Sequence, residues 1–364
     1  MPASTQAPGK GAIFASAKRL ASLDVFRGFI MASMVMVNNQ LGDGAYTQLR
    51  HAAWDGLTFT DLVFPSFLWI AGVATTLSTG NRLERGQGRG ELFAHAFRRG
   101  VLIFLIGLGL NLLWSFDFAT LRVPGVLQRI AICYLAGTLI YLWTGVRGRI
   151  LAIVALFAVY WAAMVTWGDY SMEGNAGARF DLWLLPGHLY RPVYDPEGVL
   201  TSLPAIGTFL FGILTGDLLR ARKSGDQTTL WILSSGIALV VAGYALSPLQ
   251  PINKALWTVP YTLICAGLSS LMFGLCYWFA DVKGNRGAWT LPFTIFGVNA
   301  LAVYIFHYIV ESAANSFGVR DALRASLVPA LGMANGSLVY SLLHVAVCFA
   351  FAWLLWRNKI FVKL

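Results

Sequence analysis

The sequence predicts an all-α, polytopic transmembrane helical bundle of about ten helices with both termini cytoplasmic. Three observations predict it. Of 364 residues, 57% are hydrophobic and only 12% charged, where soluble domains carry roughly 45–50% and about 25%. Apolar stretches long enough to cross about 30 Å of hydrocarbon recur along the whole chain. The basic residues concentrate in alternate connections between those stretches. A water-soluble globule cannot be covered at this composition, and disorder needs low hydrophobicity. The net charge of +10 follows the loops of a membrane protein, so nucleic acid is not an expected partner and the lipid bilayer is. Helices follow because lipid leaves no partner for unpaired backbone groups, and a barrel would alternate polar with apolar residues.

In order, the spans are expected at residues 25–41, 57–77, 100–116, 123–143, 150–167, 199–219, 229–246, 256–279, 291–310 and 338–356. The first and third are short and carry polar residues, and the fourth contains Gln128 and Arg129. Eighteen of the 27 Lys and Arg flank one face, among them Arg82, Arg85, Arg147, Arg149, Arg220 and Lys283. That bias puts this face in the cytoplasm. Residues 1–18 read as a flexible cytoplasmic segment, and 19–364 as one transmembrane domain. Asp24 and Arg27 interrupt the first apolar run, so no cleavable signal is expected. The longest connection, 168–198, lies on the exported side and reads as an ordered lid. Cys133, Cys265, Cys276 and Cys348 fall within spans without a CxxC pair, as small apolar residues do. No His/Asp/Glu set has ligand spacing, so no metal is expected. Nucleotide-loop and nucleophile-elbow signatures are absent too.

Ionisable groups at membrane depth cost about 2.5–3.5 kcal/mol on insertion scales, so they mark candidate sites. Here they gather toward the exported ends of several spans. Asn38 ends the first, His51 follows in the connection, and Asp61 and Arg129 each lie about a turn into a helix. At matching depth, Asp61 and Arg129 read as a neutralising pair that can also line a cavity. His307 and Glu311 are one turn apart on one helix face, with Asn299 deeper. Together with Arg129 these three are candidate substrate-binding residues. His344, alone in the last span, reads as core. His51 differs because it stands in a loop that runs straight into an apolar helix. Imidazole, with an unperturbed pKa near 6.5, can take a proton or attack at neutral pH. Asp61 could orient it through its second ring nitrogen.

Several runs then resemble one family, that of heparan-α-glucosaminide N-acetyltransferase and its bacterial relatives. They are Arg19-Leu-Ala-Ser-Leu-Asp-Val-Phe-Arg-Gly28, Met36-Val-Asn38 and His51-Ala-Ala-Trp-Asp-Gly-Leu-Thr-Phe-Thr-Asp-Leu-Val-Phe-Pro65. Arg122-Val-Pro-Gly-Val-Leu-Gln-Arg129, Tyr194-Asp-Pro-Glu-Gly-Val-Leu-Thr-Ser-Leu-Pro204, Asn253-Lys-Ala-Leu-Trp257, Gly297-Val-Asn299 with His307, and Lys359-Ile-Phe-Val-Lys follow in order. The resemblance implies a membrane-embedded acetyltransferase that moves acetyl from cytoplasmic acetyl-CoA, its donor substrate, to a sugar amine on the far side. It implies His51 as the catalytic residue and matches Asn38 to the family's Val-Asn asparagine, a candidate oxyanion donor. A periplasmic amino sugar or cell-wall saccharide is the expected acceptor, because the lysosomal member's large lumenal N-terminal segment has no counterpart here. The expected location is the cell inner membrane. Arg27, Arg98, Arg99 and Lys359 are candidate partners for the CoA phosphates, and homodimerisation is left open. A secondary transporter for an amino sugar is the alternative reading, since ten helices with midplane polar residues would serve it equally.

Overall fold

The computed structural model describes residues 20–221 and 223–362, so the expected flexible segment 1–18 lies outside the described residues. Among the described residues, twelve α-helices account for the architecture. They are α1 (Ala21–Asn38), α2 (Phe59–Glu84), α3 (Arg89–Ser115), α4 (Val126–Trp143), α5 (Val146–Trp167), α6 (Ala176–Leu184), α7 (Ser202–Arg220), α8 (Gly225–Leu246), α9 (Val259–Tyr277), α10 (Thr290–Val298), α11 (Ala300–Ser316) and α12 (Val319–Arg357). Among the described residues there is no strand, only an isolated antiparallel bridge between Asp55 and Asn253. The bundle is all-α and polytopic, as the composition requires.

Nine of these helices are long and apolar enough to cross a membrane, and the pair α10–α11 raises the number to ten if it counts as one span. That pair corrects the expected straight helix over 291–310. The chain breaks at Asn299, and the two halves meet at 83°. A hydropathy window sees only composition, and both halves are apolar. The helix that carries the expected last span begins earlier, at Val319, and is interrupted at Gly332, whose φ of 79° and ψ of 163° are non-helical, so that 338–356 lies in its second part.

Helices α1, α2, α7 and α9 form the inner layer, and α3, α5, α8 and α12 present most of their surface outward. In lipid, helices associate by close packing of small residues rather than by the hydrophobic effect. The α2–α7 crossing shows this. A Cβ added to Gly72 would stand 2.1 Å from the Phe209 carbonyl oxygen, and one on Gly212 would stand 2.0 Å from that of Trp69. No residue but glycine fits at this approach. The α1–α10 crossing repeats the device with Gly28 against Phe293 and Gly297 against Asp24.

The two ends of the bundle carry different groups. One end carries the ion pairs Arg149–Asp217, Arg220–Glu84, Lys283–Asp226 and Arg286–Asp281. There Asp281 also accepts from the backbone N–H groups of Ala21 and Ser22. The other end carries the loop with His51, the segment 168–198, and the α8–α9 connection. Within segment 168–198, Asn175 caps α6 through Ala178 N–H and the Trp54 indole donates to the Tyr170 carbonyl at 2.9 Å.

Candidate active site

The site starts from the first turn of α2. Pro65 has no N–H, so the carbonyl of Asp61, four residues earlier, loses its helical donor. The Tyr261 hydroxyl from α9 supplies it at 2.7 Å. At the N-terminus of α2, the Asp61 carboxylate reaches back along the chain. Oδ2 accepts from Thr58 N–H at 3.1 Å, Thr58 Oγ1 at 2.9 Å and Ala52 N–H at 3.0 Å. Oδ1 is left for the ring of His51, with Nδ1 at 2.7 Å. Asp61 is buried to 1% exposure while the His51 side chain is 52% exposed. A fixed, buried acceptor thus holds an accessible imidazole by Nδ1, so that Nε2 faces outward.

Lys254 completes this group. Its ammonium lies 2.9 Å from His51 Nδ1, 3.2 Å from Nε2 and 3.7 Å from Asp61 Oδ1. Asn253 brings it there. The Asn253 amide donates to Asp55 Oδ1 at 3.0 Å, its carbonyl oxygen accepts from Leu256 N–H, and Gly56 N–H reaches the Ile252 carbonyl at 2.7 Å. Burial pushes the Lys254 ammonium below the ordinary lysine range, and the Asp61 carboxylate pulls it back up. Its only prior signal was the Asn253–Trp257 run, which carried the family likeness without pointing to a role.

Arg129 does not pair with Asp61. It lies buried on α4, where Nη2 donates to the Gly198 carbonyl at 2.9 Å and to Thr201 Oγ1 at 2.5 Å, and its guanidinium stacks 4.9 Å from the Trp257 ring. Arg129 therefore ties α4 to the start of α7. Nearby, Arg122 grips Asp195 with two bonds of 2.9 and 2.7 Å and reaches Glu197 at 2.5 Å. Burial works against its charge, but the two carboxylates hold the guanidinium above its ordinary range. Asp181 lies in the same segment and accepts from Val199 N–H. Burial pushes its carboxyl up to about 6.

A second polar group joins α1, α11 and α12. His307 Nδ1 stands 3.4 Å from the Asn39 amide, and its ring lies 5.9 Å from that of His344. Glu311 accepts from Tyr340 at 3.0 Å and Arg320 at 3.2 Å, with His344 Nδ1 at 3.7 Å. His307 and Glu311 therefore do share a face, and it is turned to α12. Asn39 and His344 belong to this group, where the sequence had singled out Asn38 and set His344 aside. The signal for Asn39 was faint, one asparagine beside another. Asn38 itself is exposed, its amide 3.2 Å from Met34 Sδ.

The remaining candidates are scattered. Asn299 sits at the α10–α11 break, where its amide donates to the Ile360 carbonyl and its oxygen accepts from Val362 N–H, both at 3.0 Å. Arg27 is half-buried 3.4 Å from Asp24, Arg98 is exposed, Arg99 lies 5.3 Å over Tyr134, and Lys359 is exposed beyond α12. These four cations occupy three separate elements. Among the described residues, no group of three or more His, Cys, Asp or Glu could hold a metal ion.

With this geometry in hand, comparison with known proteins is specific. Residues 19–247 match the family described as heparan-alpha-glucosaminide N-acetyltransferase, catalytic. That region includes His51, Asp61 and Arg129 and stops short of Lys254. The chain is 28% identical to heparan-alpha-glucosaminide N-acetyltransferase of Mus musculus over 361 residues, covering 82% of this chain and 54% of the mouse protein. It is 27% identical to the Homo sapiens protein of that name over 412 residues, covering 95% of this chain and 60% of the relative. The chain thus spans somewhat over half the length of these curated relatives. With more than half of its residues inside the family's catalytic region, the chain belongs to the heparan-α-glucosaminide N-acetyltransferase family.

Proposed function

We propose that the protein is a membrane-embedded acetyltransferase that moves acetyl from acetyl-CoA to the amine of an amino sugar. The observation that carries this reading is the 2.7 Å contact between His51 Nδ1 and the buried Asp61 carboxylate, in a chain of this family. An acceptor amine attacks in its neutral form, and its nitrogen must shed one proton to a base as the C–N bond forms. Asp61 fixes the ring with its proton on Nδ1, which leaves the Nε2 lone pair for that task. General-base assistance of this kind is typically worth about 10²–10⁴ in rate. Asn38, exposed at the end of α1, is the proposed donor to the developing oxyanion, a role worth on the order of 10²–10³.

In this reading the donor enters from the cytoplasmic face and the acceptor from the exported one, across the inner membrane. The basic bias of the opposite end supports that orientation. Arg27, Arg98, Arg99 and Lys359 are proposed to attract the CoA phosphates toward the cytoplasmic mouth, guanidinium being suited to phosphate. Family membership speaks against the transporter reading. Purified protein in detergent, given labelled acetyl-CoA and glucosamine, should form N-acetylglucosamine. A transporter would form none, because micelles hold no second compartment. Absence of labelled product with a panel of amino sugars would overturn the proposal.

A further inference from the structure

We propose that Lys254 is the general acid of the transfer, giving a proton to the departing thiolate while His51 takes one from the attacking amine. The inference rests on the acetyltransferase reading above and adds the second half of its proton balance. Base catalysis alone leaves a thiolate and an imidazolium behind, and the Lys254 ammonium answers both.

Its placement is what singles Lys254 out. The Nζ atom is 2.9 Å from one ring nitrogen of His51 and 3.2 Å from the other. The two in-plane lone-pair directions of an imidazole diverge, so a point this close to both nitrogens lies along neither. Nε2 therefore keeps an accepting direction open to substrate, with the ammonium beside it. Lys254 is also mostly withdrawn from solvent, its side chain 19% exposed, and its carboxylate neighbour Asp61 is buried. A lysine kept only to neutralise Asp61 would be expected on the carboxylate at hydrogen-bond distance. Here the carboxylate is 3.7 Å away and the imidazole is nearer. Burial also lowers the proton affinity of the amine, which makes it a better acid than a surface lysine.

The step balances. The amine nitrogen attacks the thioester carbonyl carbon, and a C–N bond forms. The C–S bond breaks, and its electron pair leaves with sulfur. The amine proton goes to His51 Nε2, and a Lys254 proton goes to sulfur, giving the free thiol. The imidazolium proton then passes by way of water reaching the half-exposed ring to the neutral Lys254 amine, and both groups are restored. Throughout, Asp61, His51 and Lys254 together keep the same net charge, so no new charge is created in a poorly solvated site.

The test varies the leaving group. Full-length protein in detergent is assayed with acetyl-CoA and with S-(4-nitrophenyl) thioacetate, whose thiolate leaves without help from an acid. Lys254→Ala should lose about 10²–10⁴ in kcat with acetyl-CoA and less than tenfold with the activated donor. Lys254→Arg keeps the positive charge beside Asp61 but cannot give up a proton, so it should show the same split. If the small donor fails in the wild type, methylammonium added to Lys254→Ala should restore part of the acetyl-CoA rate. Equal losses with both donors, wild-type rates in either variant, or no restoration by methylammonium would overturn the proposal. A wild-type protein inactive toward acetyl-CoA would instead count against the acetyltransferase reading, and the two failures are distinguishable.

Discussion

Replacing Asp61 with Asn separates the orientation of His51 from its presence. The Asn amide can turn its NH₂ toward Nδ1, which puts the ring proton on Nε2 and removes the base. Acetyl transfer should fall by the order of 10²–10⁴ with the fold intact, as read by product formation beside a thermal unfolding scan. His51→Ala should abolish transfer while leaving acetyl-CoA binding and stability nearly unchanged, because a half-exposed loop residue leaves no core cavity. A well-folded His51→Ala protein with wild-type turnover would remove the centre of this mechanism. His51 and Asp61 were legible in the sequence because ten residues separate them in one unusual run. Lys254 was not, because it comes from some 200 residues away on the Asn253–Asp55 contact, and no local pattern encodes such a meeting. Arg129 misled for a related reason. Matching depth in two helices says nothing about which way each side chain turns, and this one turns to the Gly198 carbonyl.

Within α2, the cost of Pro65 is met by a single hydroxyl. Tyr261→Phe should leave the Asp61 carbonyl without a donor in a buried position, costing about 1–3 kcal/mol. The loss should appear in unfolding of the detergent-solubilised protein. The segment around α6 makes a pH-dependent forecast. Folded Asp181 holds its proton up to about 6, above the ordinary carboxylate range, so folding favours the protonated form. Its stabilising contribution is present below about pH 4 and is lost as pH rises through about 6, a change on the order of 3 kcal/mol. Asp181→Asn should therefore gain in thermal midpoint relative to wild type between pH 5 and pH 8. An unchanged difference across that range would contradict it. The break at Asn299 shows why the elements were less legible than their number. Read together the two halves are long and apolar enough for one span, and only tertiary contacts reveal the bend.

For the whole molecule, the alternation of basic connections makes orientation testable. A reporter fused after Leu364 should read as cytoplasmic, and a tag inserted near Asn175 should be labelled from the exported side. Periplasmic labelling of the C-terminus would reverse the assignment of donor and acceptor faces. The general architecture was legible because lipid leaves a chain so few options, whereas the sorting into inner and outer helices was not. It depends on glycines such as Gly72 and Gly212, whose spacing matters only once the partner helix is known.

The hold of Asn299 on residues 360–362 bears on how the chain is made. The asparagine is synthesised about sixty residues before its partners, so its amide must wait in the membrane until residues 360–362 have been made. Until then one buried donor and one acceptor stay unmatched, at about 1–3 kcal/mol each. Residues 360–362 thus act as a latch on the broken helix, closing only after they have been synthesised. Ending translation at Asn358 should leave all the membrane spans present yet make the protein a preferred target of the cell's quality-control proteases, with its half-life read by pulse-chase.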